Sequence, residues 1–131
     1  MPKLSTVEQF VALVESGHTL QAMERYYADH ATMQENAAPP RIGKPALIAH
    51  EVAALATVSQ LQARCIRPIL ITGDVVVIRW WFEIHNLAGQ AMRFEELAYQ
   101  RWEAELIVQE QFFYDPGQFR QAADAPALAG S

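Results

Sequence analysis

Cysteine is nearly missing from this chain. Only Cys65 is present, so no intrachain disulfide and no multi-cysteine metal motif can form. A free thiol inside an apolar segment reads as a packing residue, because a nucleophile needs a base that the sequence does not place beside it. Basic residues are also sparse. Ten Lys plus Arg stand against fifteen Asp plus Glu, for a net charge of −5, and no basic run occurs. That excludes a nucleic-acid backbone as partner, which needs a clustered basic face. No apolar run is long enough to span a bilayer, and Met1 to Val7 does not have the form of a signal peptide, so no membrane partner and a cytoplasmic setting are expected. There is no glycine-rich phosphate loop and no dinucleotide fingerprint, and no cofactor is implied. His18, His30, His50 and His85 lie at no metal-ligand spacing, and no HExxH motif is present.

What the chain does have is hydrophobic surface. About half of its 131 residues are apolar (51%), enough for one core and too much for a disordered chain. Ser5 and Glu8 have capping-box spacing, Val7, Phe10, Val11 and Val14 repeat at helical period, and Gly17 suits a left-handed helix end. Thr19 can cap a second helix, with Leu20, Met23 and Tyr27 on one face and an end near Asp29. Residues 31–36 read as a short strand and 37–43, with Pro39 and Pro40, as a loop. Pro45 opens a third helix whose stripe is Ile48, Val52 and Leu55.

From Ser59 the pattern changes to long strands, over 60–72 with a bend at Pro68, 75–86, 91–103 and 106–114. Gly73-Asp74, Ala88-Gly89 and Ala104-Glu105 are the expected two-residue turns. One domain over 1–117 and a loose tail over 118–131 follow. These turns set a register. One face then carries Arg79, Trp81, Glu83, His85, Phe94, Glu96, Ala98, Gln100, Trp102, Gln109, Gln111 and Phe113. The other carries Ile78, Trp80, Phe82, Ile84, Leu97, Tyr99, Val108 and Phe112. Alternation alone leaves two arrangements open. The mixed face can line a half-polar cavity, or the apolar face can pack on the helices and leave Arg79 and Glu83 in solvent.

The element order resembles the nuclear transport factor 2-like superfamily, in particular its SnoaL-like polyketide cyclase group. So do the strings Tyr26-Tyr27-Ala28-Asp29-His30-Ala31-Thr32 and Ile107-Val108-Gln109-Glu110-Gln111-Phe112-Phe113-Tyr114-Asp115. The resemblance implies an α+β fold, with a cone-shaped curled antiparallel sheet wrapped around three N-terminal helices and an internal pocket. It turns Arg79, Trp81 and Glu83 inward and makes Ile78, Trp80, Phe82, Leu97 and Tyr99 a homodimer surface. It implies a small-molecule ligand, with either cofactor-free acid–base catalysis or a non-catalytic binding or accessory role. Glu35 matches the position of the aspartate base of the superfamily's steroid isomerases, with a hydrogen bond to the loop before Pro39 as its competing role, while Phe10 and Ala98 stand where those enzymes place oxyanion donors, which argues against ketosteroid isomerase activity. Arg79 with Glu96 and Glu83 is similar in composition to the superfamily's epoxide hydrolases, but Trp81 occupies the expected acid position. A structural ion pair is the competing account of those charges. Glu35, Glu96 and Arg79 are thus the catalytic candidates. Tyr27, Met33, His50, Trp81, Glu83, Gln100, Gln111 and Phe113 are the ligand-binding candidates. For Tyr27 the competing role is core packing, and for His50 a place on the helix surface.

Overall fold

A computed structural model describes residues 1–119. The elements run α1 (Leu4–Glu15), α2 (Thr19–Tyr26), β1 (Tyr27–Glu35), β2 (Arg41–Ile42), α3 (Lys44–Leu55), β3 (Val58–Thr72), β4 (Val75–Asn86), β5 (Ala91–Glu103) and β6 (Leu106–Phe113). The fold is α+β, with N-terminal helices against a curled, unclosed six-stranded sheet ordered β2-β1-β6-β5-β4-β3. Neighbouring strands are antiparallel except β1 and β6, which pair in parallel. That pair departs from the all-antiparallel expectation, because the first long strand meets the last one side by side. No helix among the described residues is long and apolar enough to cross a membrane.

Helix α1 buries Val7, Phe10, Val11 and Val14, the residues its periodicity selects. Its start differs from the expected capping box. Lys3 is the N-cap and no side chain caps it. Glu8 instead takes both guanidinium nitrogens of Arg67 at 2.6 and 2.7 Å. The Lys3 amide donates to Glu105 of the β5–β6 turn. The helix end is as expected. Gly17 has φ +85°, its amide donates to Val14, and the His18 amide donates to Leu13, which is the Schellman pattern.

Helix α2 stops at Tyr26, three residues before the expected end. Tyr27 pairs with Ile107 of β6, so sheet pairing overrides helical propensity there. The α3 stripe also moves: Leu47 is fully buried, whereas Val52 is about half exposed.

Register decides the site. The β3–β4 turn has the expected two residues, with Thr72 opposite Val75. The β4–β5 loop has three, because the Asn86 amide bonds Gln90 and Gly89 takes φ +85°. One extra loop residue shifts the pairing by one and exchanges the faces. Trp80 is opposite Glu96, Ile78 opposite Ala98 and Phe82 opposite Phe94. The expected pairings of Trp81 with Glu96, Arg79 with Ala98 and Glu83 with Phe94 are therefore each displaced. Between β5 and β6, Trp102 is opposite Ile107 as expected. A bulge then places Gln100 opposite Glu110 and Ala98 opposite Phe112.

The core follows from this register. Ile78, Trp80, Ala98, Trp102 and Ile107 pack with the buried residues of α1 and α2 in one cluster, with Phe82 and Phe112 against it. Three of the five expected interface residues, Ile78, Trp80 and Phe82, are thus used inside the molecule. Leu97 and Tyr99 remain exposed on the outer face. The chain also continues beyond the expected domain end. Gln118 bonds both backbone groups of Glu95, and Phe119 packs on Phe94 and Tyr114. The rest of the expected tail, 120–131, lies outside the described residues.

Candidate functional site

A cavity of about 280 Å³ lies between the helices and the inner face of the sheet. Strand β4 contributes Trp80, Phe82 and Ile84, and β5 contributes Phe94 and Glu96. Strand β6 and the segment after it contribute Glu110, Phe112, Tyr114 and Phe119. Phe10 and Met23 close it from α1 and α2, and His50 and Glu51 from α3. Tyr27, Met33, Glu35 and Arg41 add to the wall from β1 and β2.

Of the residues singled out from sequence, Glu35, Glu96, Tyr27, Met33 and His50 line this one cavity. The others do not. Arg79 lies on the outer face, bound to Glu95 through Nε at 2.8 Å and Nη2 at 2.6 Å. Trp81 also lies outside, with the Arg64 guanidinium 4.9 Å from its ring centre. Glu83 bonds Arg93 and His85 on that face. Gln111 donates to the Asn36 carbonyl, and Phe113 is 45% exposed. The cause is common to Arg79, Trp81 and Glu83: the three-residue loop turns their face outward. For Gln111 and Phe113 it is the β6 bulge.

Gln100 is buried in a hydrogen-bonded chain beside the cavity. Trp102 Nε1 donates to Gln100 Oε1 at 3.0 Å, and Gln100 Nε2 donates to Glu110 Oε2 at 2.6 Å. The Tyr27 hydroxyl donates to Glu110 Oε1. Glu110 therefore has a partner on each oxygen, as a buried carboxyl requires. Burial pushes its pKa up to about 7, although both hydrogen bonds pull it down. The Tyr27 hydroxyl is raised well above its ordinary value by burial and by the neighbouring Glu110.

Glu96 has a different environment. It stands opposite Trp80 and two residues from Phe94, and its side chain has no hydrogen bond or ion pair among the described residues. Burial pushes its pKa up to about 8, with the charges of Glu110, Glu35 and Glu51 adding to the effect. A carboxyl that holds its proton near neutrality can give it to a ligand or take one back, which is the requirement for general acid–base work. Glu35 sits toward solvent, its side chain 41% exposed and 3.6 Å from Arg41 Nη2. Arg41 Nε is buried without a hydrogen-bond partner among the described residues. Burial raises Glu51 as well, opposed by His50 and Arg41. Among the described residues no group of three His, Cys, Asp or Glu is placed to hold a metal ion.

Sequence reasoning passed over Glu51, Glu110 and Arg41, and it placed Trp80 and Phe82 on the wrong side of the sheet. Two signals were available. Leu47, Glu51, Ala54 and Leu55 share one helical face. Gly89 fits a three-residue hairpin loop as well as a two-residue one.

Comparison with known proteins supports the same architecture. The family model for the SnoaL-like domain matches residues 7–110. No curated protein matches the sequence. Among solved structures, TerC co-crystallized with polyporic acid superposes with a TM-score of 0.78 at 10% identity, covering 95% of this chain and 100% of its own. A Mesorhizobium loti protein classed as a SnoaL-like polyketide cyclase gives 0.74 at 22% identity, covering 87% and 100%. A Catenulispora acidiphila protein of ketosteroid isomerase-like fold, in complex with trimethylamine, gives 0.78 at 16% identity, covering 95% and 96%.

Proposed function

The chain belongs to the SnoaL-like domain family, and from that premise we propose that its cavity binds a small, largely apolar molecule on which Glu96 acts as a general acid or base. The observation that carries this reading is Glu96 itself, a carboxyl without a side-chain partner among the described residues, set against aromatic walls with its pKa raised to about 8. The aromatic lining suits an apolar ligand body, and Glu96, Arg41 and Glu35 supply the few polar groups that orient it. Phe10 and Ala98 offer no hydrogen bond to an oxyanion, which argues against a ketosteroid isomerisation. That two neighbours of this fold hold small organic molecules, polyporic acid and trimethylamine, supports a ligand of that size.

The test is a thermal-shift screen of small molecules on the wild type and Glu96→Gln, followed by mass spectrometry of each stabilising compound after incubation. Compounds converted by the wild type and slowed roughly 100-fold or more by Glu96→Gln support acid–base catalysis. Compounds that stabilise both proteins and persist unchanged leave a binding module and remove the catalytic part of the reading.

We further propose that a second copy of the chain covers the outer face of the sheet. Leu97 stands opposite Phe113 there, with Tyr99 two residues along, and each is more than 40% exposed. An apolar patch of that kind marks an association surface. Sedimentation at micromolar concentration should give a dimer, and Leu97→Arg a monomer. A monomeric wild type contradicts the assignment.

A further inference from the structure

Aromatic rings follow one another around the cavity wall without a gap. Trp80 and Phe82 have ring centres 5.8 Å apart, Phe82 and Phe94 5.2 Å, Phe94 and Phe119 5.0 Å, and Phe119 and Tyr114 5.7 Å. All five rings line the same space. Glu96 lies within this arc, directly opposite Trp80 and next inward from Phe94 on the same strand.

We infer that the ligand carries an alkylammonium group, which sits against these rings with Glu96 as its counter-charge. This rests on the cavity being a ligand site, as proposed above. Aromatic walls attract a cation through the ring quadrupole, and they do so most strongly where water is excluded. The charges facing the space point the same way. Strand β1 presents Glu35 and Tyr27, β2 presents Arg41, α3 presents His50 and Glu51, β6 presents Glu110, and Tyr114 follows it. Helices α1 and α2 present only uncharged side chains.

Among the described residues the basic groups that face the space are Arg41 and His50, and each is set against a carboxyl other than Glu96. Arg41 lies 3.6 Å from Glu35, and with His50 it acts on Glu51. Beyond its burial, Glu96 is influenced by the carboxyls of Glu110, Glu35 and Glu51. An anionic ligand would meet further carboxyls there, and a neutral one would leave Glu96 protonated. A cation removes the repulsion and lets Glu96 ionise. The proton balance is simple: a quaternary ammonium has none to give, so the proton held by Glu96 leaves for the buffer as the ion pair forms.

The test uses the full chain and two probes of one shape, phenyltrimethylammonium and tert-butylbenzene, in which a carbon replaces the charged nitrogen. Calorimetry near pH 7 in phosphate and in Tris reads affinity and proton release together. The expected result is ammonium affinity roughly tenfold or more above that of the neutral probe. It includes release of about one proton per ligand, with affinity rising as the pH is raised toward about 8. Glu96→Gln should abolish the proton release and weaken the ammonium roughly tenfold, leaving tert-butylbenzene within about twofold. Phe94→Leu should weaken the ammonium more than the neutral probe. Equal or tighter binding of tert-butylbenzene overturns the inference and leaves the cavity reading standing. Binding of neither probe overturns both.

Discussion

Trp80 and Glu96 stand directly opposite each other on neighbouring strands and look into the same cavity. This pairing puts an ionisable group beside one of the largest apolar side chains in the molecule. The carboxyl loses part of its water and gains no charge partner among the described residues, so the protonated form is favoured.

Stability should therefore depend on pH in a defined direction. Glu96 is raised from an ordinary 4.5 to about 8, so the folded protein keeps a proton that the unfolded chain releases between those values. Its contribution is full below about pH 4.5 and is lost as the pH rises through about 8. Urea denaturation at pH 5, 7 and 9 should show Glu96→Gln gaining on the wild type by roughly 2–4 kcal/mol across that range. A constant difference between the two proteins contradicts the placement of Glu96.

The buried chain from Trp102 through Gln100 to Glu110 yields a second prediction. Gln100→Leu keeps a similar volume but leaves the Trp102 indole N–H and Glu110 Oε2 without partners. The cost should be roughly 2–5 kcal/mol in urea denaturation at neutral pH. A change below about 0.5 kcal/mol would mean that these groups are solvated rather than buried.

The β5–β6 turn is made without glycine. Ala104 has φ +48° and Glu105 φ +66°, the left-handed pair that a two-residue hairpin turn demands. Ala104→Gly relieves a steric cost and should stabilise the protein by about 0.5–1 kcal/mol. Thermal melting checks this, and a lowered Tm contradicts it. Glu105 is the less suitable target, because its carboxylate receives the Lys3 amide at the start of α1.

These outcomes also show which features the sequence carried on its surface. The helix end at Gly17, the turns at Gly73-Asp74 and Ala104-Glu105 and the order of the elements were legible from local chemistry. So was the gathering of Phe94, Glu96, Ala98 and Gln100 on one face of β5, because strand alternation does not depend on partners. The side of β4 that meets them was not legible. A single loop residue decides it, and the Leu87-Ala88-Gly89-Gln90 segment admits both lengths. The resemblance to known folds turned Arg79 and Trp81 inward, and alternation could not correct it. The parallel meeting of β1 with β6 was equally hidden, since the two strands are about 80 residues apart in a chain whose local signals describe only hairpins. Glu51 and Glu110 were passed over for another reason. Each is a charged residue on a buried face, and a reading by hydrophobic pattern assigns such residues to solvent.

The central claim is that Glu96 keeps a proton near neutrality inside an aromatic cavity. Carbon-13 NMR titration of the glutamate side-chain carboxyls, with the Glu96 signal assigned by its loss in Glu96→Gln, measures this directly. The account predicts a midpoint at about 8. A midpoint at the ordinary glutamate value of about 4.5 would contradict it.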